Sequence, residues 1–280
     1  MTAMTCSGRR RGISLVELLV AMTLLGIVGL SILRTFTSQA RLADMHVKRL
    51  DARAVSRAPV NMFMSEARMV ETGNGLVAAS AASVTLRVPV VMGLICGNTG
   101  AVTVLSLMPV DSVALASASV SGHAYRQESG VYTYTEGATS MSPYGGNACN
   151  NESITTVSGG TMVSVTPQMP AAAVGQVAFL YQLVKYEFKA SSTITGRTGL
   201  WRTLETSGVT EELAAPFDAS ARFRFYRIDE DTARTVVPTL TEIRGLELSL
   251  LGSSEQTRFG RTSPETAKMQ TAVFFMNRLN

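Results

Sequence analysis

The chain has 280 residues, of which 46% are hydrophobic and only 16% charged, against about 25% charged in an average soluble domain. A chain this apolar can bury enough surface to offset its ordering entropy, which excludes disorder as the main state, and its composition is neither collagen-like nor low in complexity. The net charge of +4 hints at an acidic partner, but three of the positive charges, Arg9, Arg10 and Arg11, stand immediately before the most apolar stretch of the chain.

Residues 13–33 read ISLVELLVAMTLLGIVGLSIL, 21 residues with one ionisable group, Glu17, and Arg34 closing the run. As a helix this is about 30 Å long, enough to cross the hydrocarbon core of a bilayer. The three arginines ahead of it anchor the N-terminus in the cytoplasm and place the bulk of the chain on the far side. A cleaved secretory signal would have a shorter apolar core and a small-residue cleavage site. A plain signal anchor leaves Glu17 unexplained, because a carboxylate at membrane depth costs roughly 2.5–3.5 kcal/mol on insertion scales.

The string Arg11-Gly12-Ile13-Ser14-Leu15-Val16-Glu17-Leu18-Leu19-Val20-Ala21-Met22 resembles the class III signal of type IV prepilins and type II secretion pseudopilins. The resemblance implies that prepilin peptidase cuts between Gly12 and Ile13, that Ile13 becomes the N-methylated first residue, and that Glu17, fifth in the mature chain, acts in filament assembly. Ile13 departs from the family, where Phe or Met is more usual. Physically, Glu17 would pair with the Ile13 ammonium of a neighbour in a low-dielectric filament core and so set axial register.

Apolar residues then recur at Leu42, Met45, Leu50, Val55, Phe63, Ala67 and Val70 among charged ones, the pattern of a helix with one apolar face. This predicts an amphipathic continuation over residues 34–72, a total length of about 90 Å, a kink or short break at Pro59, and an end at Thr72-Gly73-Asn74-Gly75. His46 in this helix and His123 in a later Ser/Gly-rich stretch have no partner at ligand spacing and read as surface residues; no metal or cofactor is expected.

Beyond Gly75 the pattern changes to short β-like runs at residues 84–90, 101–107, 124–126 with 130–135, 154–157, 161–165, 176–188, 199–205, 221–226, 246–251 and 272–277. The fold class expected is α+β: a long N-terminal helix, membrane-spanning in its first half, on a mainly antiparallel β head. The segments expected are a leader at 1–12, a transmembrane helix at 13–33, its continuation at 34–72 and a periplasmic head at 73–280. Val184-Lys185-Tyr186-Glu187-Phe188, Gly199-Leu200-Trp201-Arg202, Phe223-Arg224-Phe225-Tyr226 and Ile243-Arg244-Gly245-Leu246-Glu247-Leu248 are similar in order to the strands of the minor pilin PilW and pseudopilin J group, with Trp201 read as a core or edge anchor.

Leader removal takes away Cys6 and leaves Cys96 and Cys149 in turn-like sequence, on the side of the membrane where disulfides persist. One disulfide between them is expected, with two separate buried thiols as the alternative. There is no phosphate loop, G-x-S-x-G elbow, H-E-x-x-H or zinc-type cysteine pair, so no catalytic residues are assigned and the chain is not expected to be an enzyme. Glu211-Glu212 and Asp229-Glu230-Asp231 read as solvated loops, with a weak calcium site as the alternative, and residues 78–83 and 114–121 as small-residue loops or exposed strands.

The leading function is a structural subunit, a minor pilin or pseudopilin, with prepilin peptidase, other pilins or pseudopilins, inner-membrane assembly machinery and membrane lipid as partners. A tip adhesin or DNA-uptake subunit on the same stem and a membrane-anchored periplasmic enzyme are the competing classes. Removing residues 1–12 leaves 22 basic against 21 acidic side chains, so the mature chain is nearly neutral and no nucleic-acid partner is expected.

Overall fold

The computed structural model describes residues 14–135, 139–145, 154–257 and 261–275. One helix, α1 (Leu15–Ala67), runs for 53 residues, about 80 Å at the helical rise. Ser14 caps it: its hydroxyl accepts from the Val16 N–H at 3.3 Å and its own N–H donates to Glu17 Oε2 at 3.2 Å. This is a capping box, in which two otherwise orphaned backbone donors are satisfied and the carboxylate sits at the positive end of the helix.

α1 passes through Pro59 without a break. Proline removes one backbone hydrogen bond and crowds the preceding turn. Here the flanking residues Ser56, Val60 and Phe63 are buried against the head, and that packing holds the helix through the lost bond. The helix ends at Ala67, with Arg68 as its C-cap, before the predicted glycine-rich stop. Gly73 nevertheless takes φ 103° in the turn that follows, a conformation that favours glycine.

Among the described residues the head is one antiparallel sheet of thirteen strands: β1 (Leu76–Ala79), β2 (Ser83–Thr99), β3 (Val102–Leu107), β4 (Gly122–Arg126), β5 (Tyr132–Thr135), β6 (Ser140–Pro143), β7 (Thr161–Thr166), β8 (Val177–Ala190), β9 (Thr198–Leu204), β10 (Val209–Phe217), β11 (Arg222–Arg227), β12 (Ile243–Thr257) and β13 (Pro264–Phe274). The main path runs β11-β12-β10-β9-β8-β2-β3-β7-β6, with β13 on β12, β1 on β2, and the β4–β5 hairpin on the first half of β8. The chain is therefore α+β, a long N-terminal apolar helix followed by a large antiparallel sheet.

Three expectations give way. Residues 114–117 are helical, part of α2 (Pro109–Ser117), which packs Ala114 and Leu115 on the sheet. Residues 209–217, read partly as solvated loop, form β10. Residues 154–157 hold no strand, only an isolated bridge position.

Among the described residues two large cores and two smaller clusters lie on the sheet. The larger core joins α1 to the sheet through Val60, Phe63 and Ala67, with Val70 just beyond the helix, packed on Leu86, Val184, Tyr186, Leu200, Phe223 and Leu248. Phe63 meets Tyr186 edge-to-face with centroids 5.1 Å apart, a geometry the ring quadrupoles favour. The second, under α2, gathers Val91, Ile95, Leu105, Leu107, Val165 and Leu180. The face of α1 that is buried is the expected one only in part: Phe63 and Ala67 are fully buried, but Leu42 and Leu50 are exposed, and Ala52 and Ser56, which the apolar pattern did not include, are fully buried. Gly252 explains the choice. A Cβ there would stand 2.0 Å from the Ala52 carbonyl oxygen and 2.8 Å from Ser56 Oγ, so small residues on both sides let β12 and α1 touch backbone to backbone.

Candidate assembly site on the N-terminal helix

All residues of α1 from Leu15 to Ala43 are exposed. The most apolar 18-residue window of the helix has a mean hydropathy of 2.3 and none of it is buried. An apolar surface of this length has no partner among the described residues and is stable only in lipid or against other protein. Glu17 is the single acid in it and borders a strip formed by Leu18, Ala21, Met22, Leu25 and Gly26. Its place in the capping box ties the carboxylate to the first turn, against the Ser14 N–H. The S-x-x-E spacing of Ser14 and Glu17 is the sequence signal for that cap. Arg9, Arg10, Arg11, Gly12 and Ile13 lie outside the described residues.

The other end of α1 is fixed to the head by a partly buried charge network. Arg202, on β9, places Nη2 2.6 Å and Nε 3.2 Å from Glu66 Oε1, and Nη1 3.1 Å from Glu211 Oε1. Tyr186, on β8, donates its hydroxyl to Glu66 Oε2 at 2.6 Å. The strand register sets this, because Arg202 is directly opposite Tyr186 and both project from neighbouring strands toward the helix. Burial by itself would lower the Arg202 pKa, but the hydrogen bonds and charge of Glu66 outweigh it and hold the guanidinium protonated. Burial, then the Glu66 charge, pushes the Tyr186 phenol well above its ordinary value. The arrangement is an electrostatic clamp between helix and head.

The remaining polar residues singled out from the sequence resolve differently. Glu211 and Glu212 are on β10, not in a loop: Glu211 pairs with Arg202, and Glu212 Oε2 accepts from the Ser192 hydroxyl at 2.6 Å. Glu230 lies 2.6 Å from Arg234 Nε, and Asp231 2.8 Å from Arg244 Nη2. Among the described residues no group of His, Cys, Asp and Glu is placed to hold a metal.

His46 is exposed on α1, but His123 is not a surface residue. It is fully buried on β4. Its Nδ1 is 2.9 Å from Thr139 Oγ1, its Nε2 has no partner among the described residues, and burial lowers its pKa to about 4. The pairing of β4 with β8, which a sequence pattern does not show, puts it there. Trp201 projects on the outer side of β9 with Lys189 Nζ 4.5 Å over its ring, and its Nε1 donates to the Ala190 carbonyl. Cys96 is fully buried; Cys149, the partner expected, lies outside the described residues.

Residues 7–33 match the prokaryotic N-terminal methylation motif. The match spans the basic residues, the glycine, Glu17 and the whole exposed apolar run. It supports a type IV pilin-like or pseudopilin-like protein, processed by prepilin peptidase and assembled with other pilins, and it points to a structural subunit rather than an enzyme. Comparison with curated proteins and with solved structures gives no match.

Proposed function

We propose that this chain is a minor pilin or pseudopilin of a type IV pilus or type II secretion pseudopilus. It enters the inner membrane through residues 13–33 with its head in the periplasm, loses residues 1–12 between Gly12 and Ile13, and is then drawn into a filament. The observation that carries this reading is the methylation motif on a helix whose apolar half is wholly unpartnered.

The geometry supports a division of labour along α1. The first half offers apolar surface and one carboxylate to other helices. The second half is clamped to the head by Glu66–Arg202 and by the close approach at Gly252, so that force or displacement applied to the helix reaches the head. When the leader is removed, a new ammonium at residue 13 arises beside the first turn that holds Glu17. In a bundle of such helices the Glu17 carboxylate pairs with the ammonium of a neighbour, because an unpaired charge in that dry core costs several kcal/mol. On the periplasmic side Cys96 pairs with Cys149 in this reading.

The test is co-expression with and without an active prepilin peptidase, followed by intact mass of the purified chain. The expected product lacks residues 1–12 and carries one added methyl group on Ile13. An unprocessed chain in the presence of active peptidase would refute the reading. Glu17→Ala is expected to leave membrane insertion unchanged and to lower the chain in sheared filaments relative to membranes.

A further inference from the structure

Among the described residues β13 is the longest strand of the sheet with one side unpaired, its only ladder there being with β12. The Phe275 N–H donates to the Arg244 carbonyl, with Phe274 directly opposite Gly245. Alternation in an antiparallel ladder then turns the backbone groups of Ala267, Met269, Thr271 and Val273 toward β12, and those of Thr266, Lys268, Gln270, Ala272 and Phe274 outward. None of these five outward N–H groups has a backbone partner among the described residues. Native sheets guard long edges with charges, proline, bulges or a covering element. β13 has Pro264 at its start, Glu265 turned to Arg49 of α1, and one charge, Lys268, along the rest of its length.

The edge also has a direction. Arg49 Nε is 3.5 Å from Glu265, and Met64 Sδ is 3.6 Å from Thr271 Oγ1. Those contacts are about 22 Å apart along the helix and about 20 Å apart along the strand, so α1 and β13 lie side by side and point the same way. Two copies joined antiparallel through their β13 edges would therefore aim their α1 helices in opposite directions, which two helices rooted in one membrane cannot do. The exposed Lys268 ammonium makes no ion pair among the described residues, and its outward neighbours Thr266 and Gln270 are neutral. A cross-strand carboxylate is the complement it calls for.

We infer that the open edge of β13 receives an extended segment of a neighbouring subunit, paired backbone to backbone and carrying a carboxylate opposite Lys268. Main-chain pairing supplies the affinity and the carboxylate the register. The inference rests on the reading of this chain as a filament subunit.

The experiment is residue-resolved amide hydrogen exchange on the full chain, in detergent micelles and in sheared filaments. The amides of Ala267, Met269, Thr271 and Val273 are expected to be protected in both states. Those of Lys268, Gln270 and Ala272 should exchange freely in micelles and slow by about tenfold or more in filaments, as expected for newly paired strand amides. Gln270→Pro removes an outward N–H without removing a bond to β12, and should lower filament incorporation roughly fivefold, the loss of one hydrogen bond. Gln270→Ala, which keeps the N–H, should incorporate normally. Outward amides that are free in filaments, or already protected in micelles, overturn the strand addition alone. A chain absent from the filament fraction overturns both this inference and the subunit reading.

Discussion

Replacing Glu66 by alanine tests how α1 is joined to the head. The side chains of Glu66 and Arg202 are only 13% and 12% exposed, so the substitution leaves a nearly buried guanidinium with Glu211 as its remaining carboxylate, itself half-exposed. It also strips the Tyr186 hydroxyl of its acceptor. Removing one member of a buried ion pair costs about 3–5 kcal/mol and an abandoned hydroxyl about 1–3 kcal/mol. Glu211 and residual solvent lower that sum, and about 3 kcal/mol of destabilisation is expected. In urea, with a slope of roughly 2–3 kcal/mol per molar for a head of this size, the unfolding midpoint should fall by about 1 M.

The assay is urea unfolding of the full chain in micelles, followed by the fluorescence of Trp201. This is the only tryptophan in the sequence and stands next to Arg202 on β9. A companion double variant, Glu66→Met with Arg202→Met, removes both charges and refills the volume. It should cost less than Glu66→Ala, because a buried pair exchanged for apolar residues is often neutral. A midpoint shift under about 0.2 M for Glu66→Ala, below roughly 0.5 kcal/mol, would refute the clamp, as would a double variant as unstable as the sum of its parts.

Acid should weaken the head through His123. Its folded pKa lies below the unfolded value, near 4 against 6.5, so its contribution is intact above about pH 6.5 and is lost as pH falls toward 4. The loss is about 3 kcal/mol by pH 4, and His123→Leu should flatten that part of the stability profile measured by urea titration at each pH. Gly252→Ala places a methyl against the Ala52 carbonyl and must push β12 from α1; a cost of about 1–3 kcal/mol is expected for such overpacking, read as a lower thermal midpoint. Alkylation under denaturing conditions followed by intact mass should find no free thiol in the leaderless chain. Reduction should destabilise the head by roughly 4 kcal/mol if the loop between Cys96 and Cys149 is the one closed.

What could be read from the sequence is what local chemistry decides. The basic residues, the glycine, the unbroken apolar run and Glu17 carry their meaning within one short stretch of sequence. The strands rich in β-branched and aromatic residues, such as Val84 to Val88 in β2 and Leu183 to Phe188 in β8, announce themselves by alternation. The class of the fold followed from those two signals.

What required the tertiary structure is which surface meets which. The periodicity of α1 offered Leu42 and Leu50 as core beside Phe63 and Ala67; the latter pair is buried, but Leu42 and Leu50 are exposed and Ala52 and Ser56 are buried, because Gly252 of β12 admits only small residues at that crossing. The acids of β10 looked solvated until the β9–β10 register brought Glu211 to Arg202, and His123 looked exposed until β4 paired with β8. The open edge of β13 is likewise invisible in its residues, since an unpaired strand has the same alternation as a paired one. Burial, charge pairing and edge status belong to pairs of elements far apart in the chain. The long membrane-type helix with its capped glutamate, by contrast, is already complete in a single stretch of sequence.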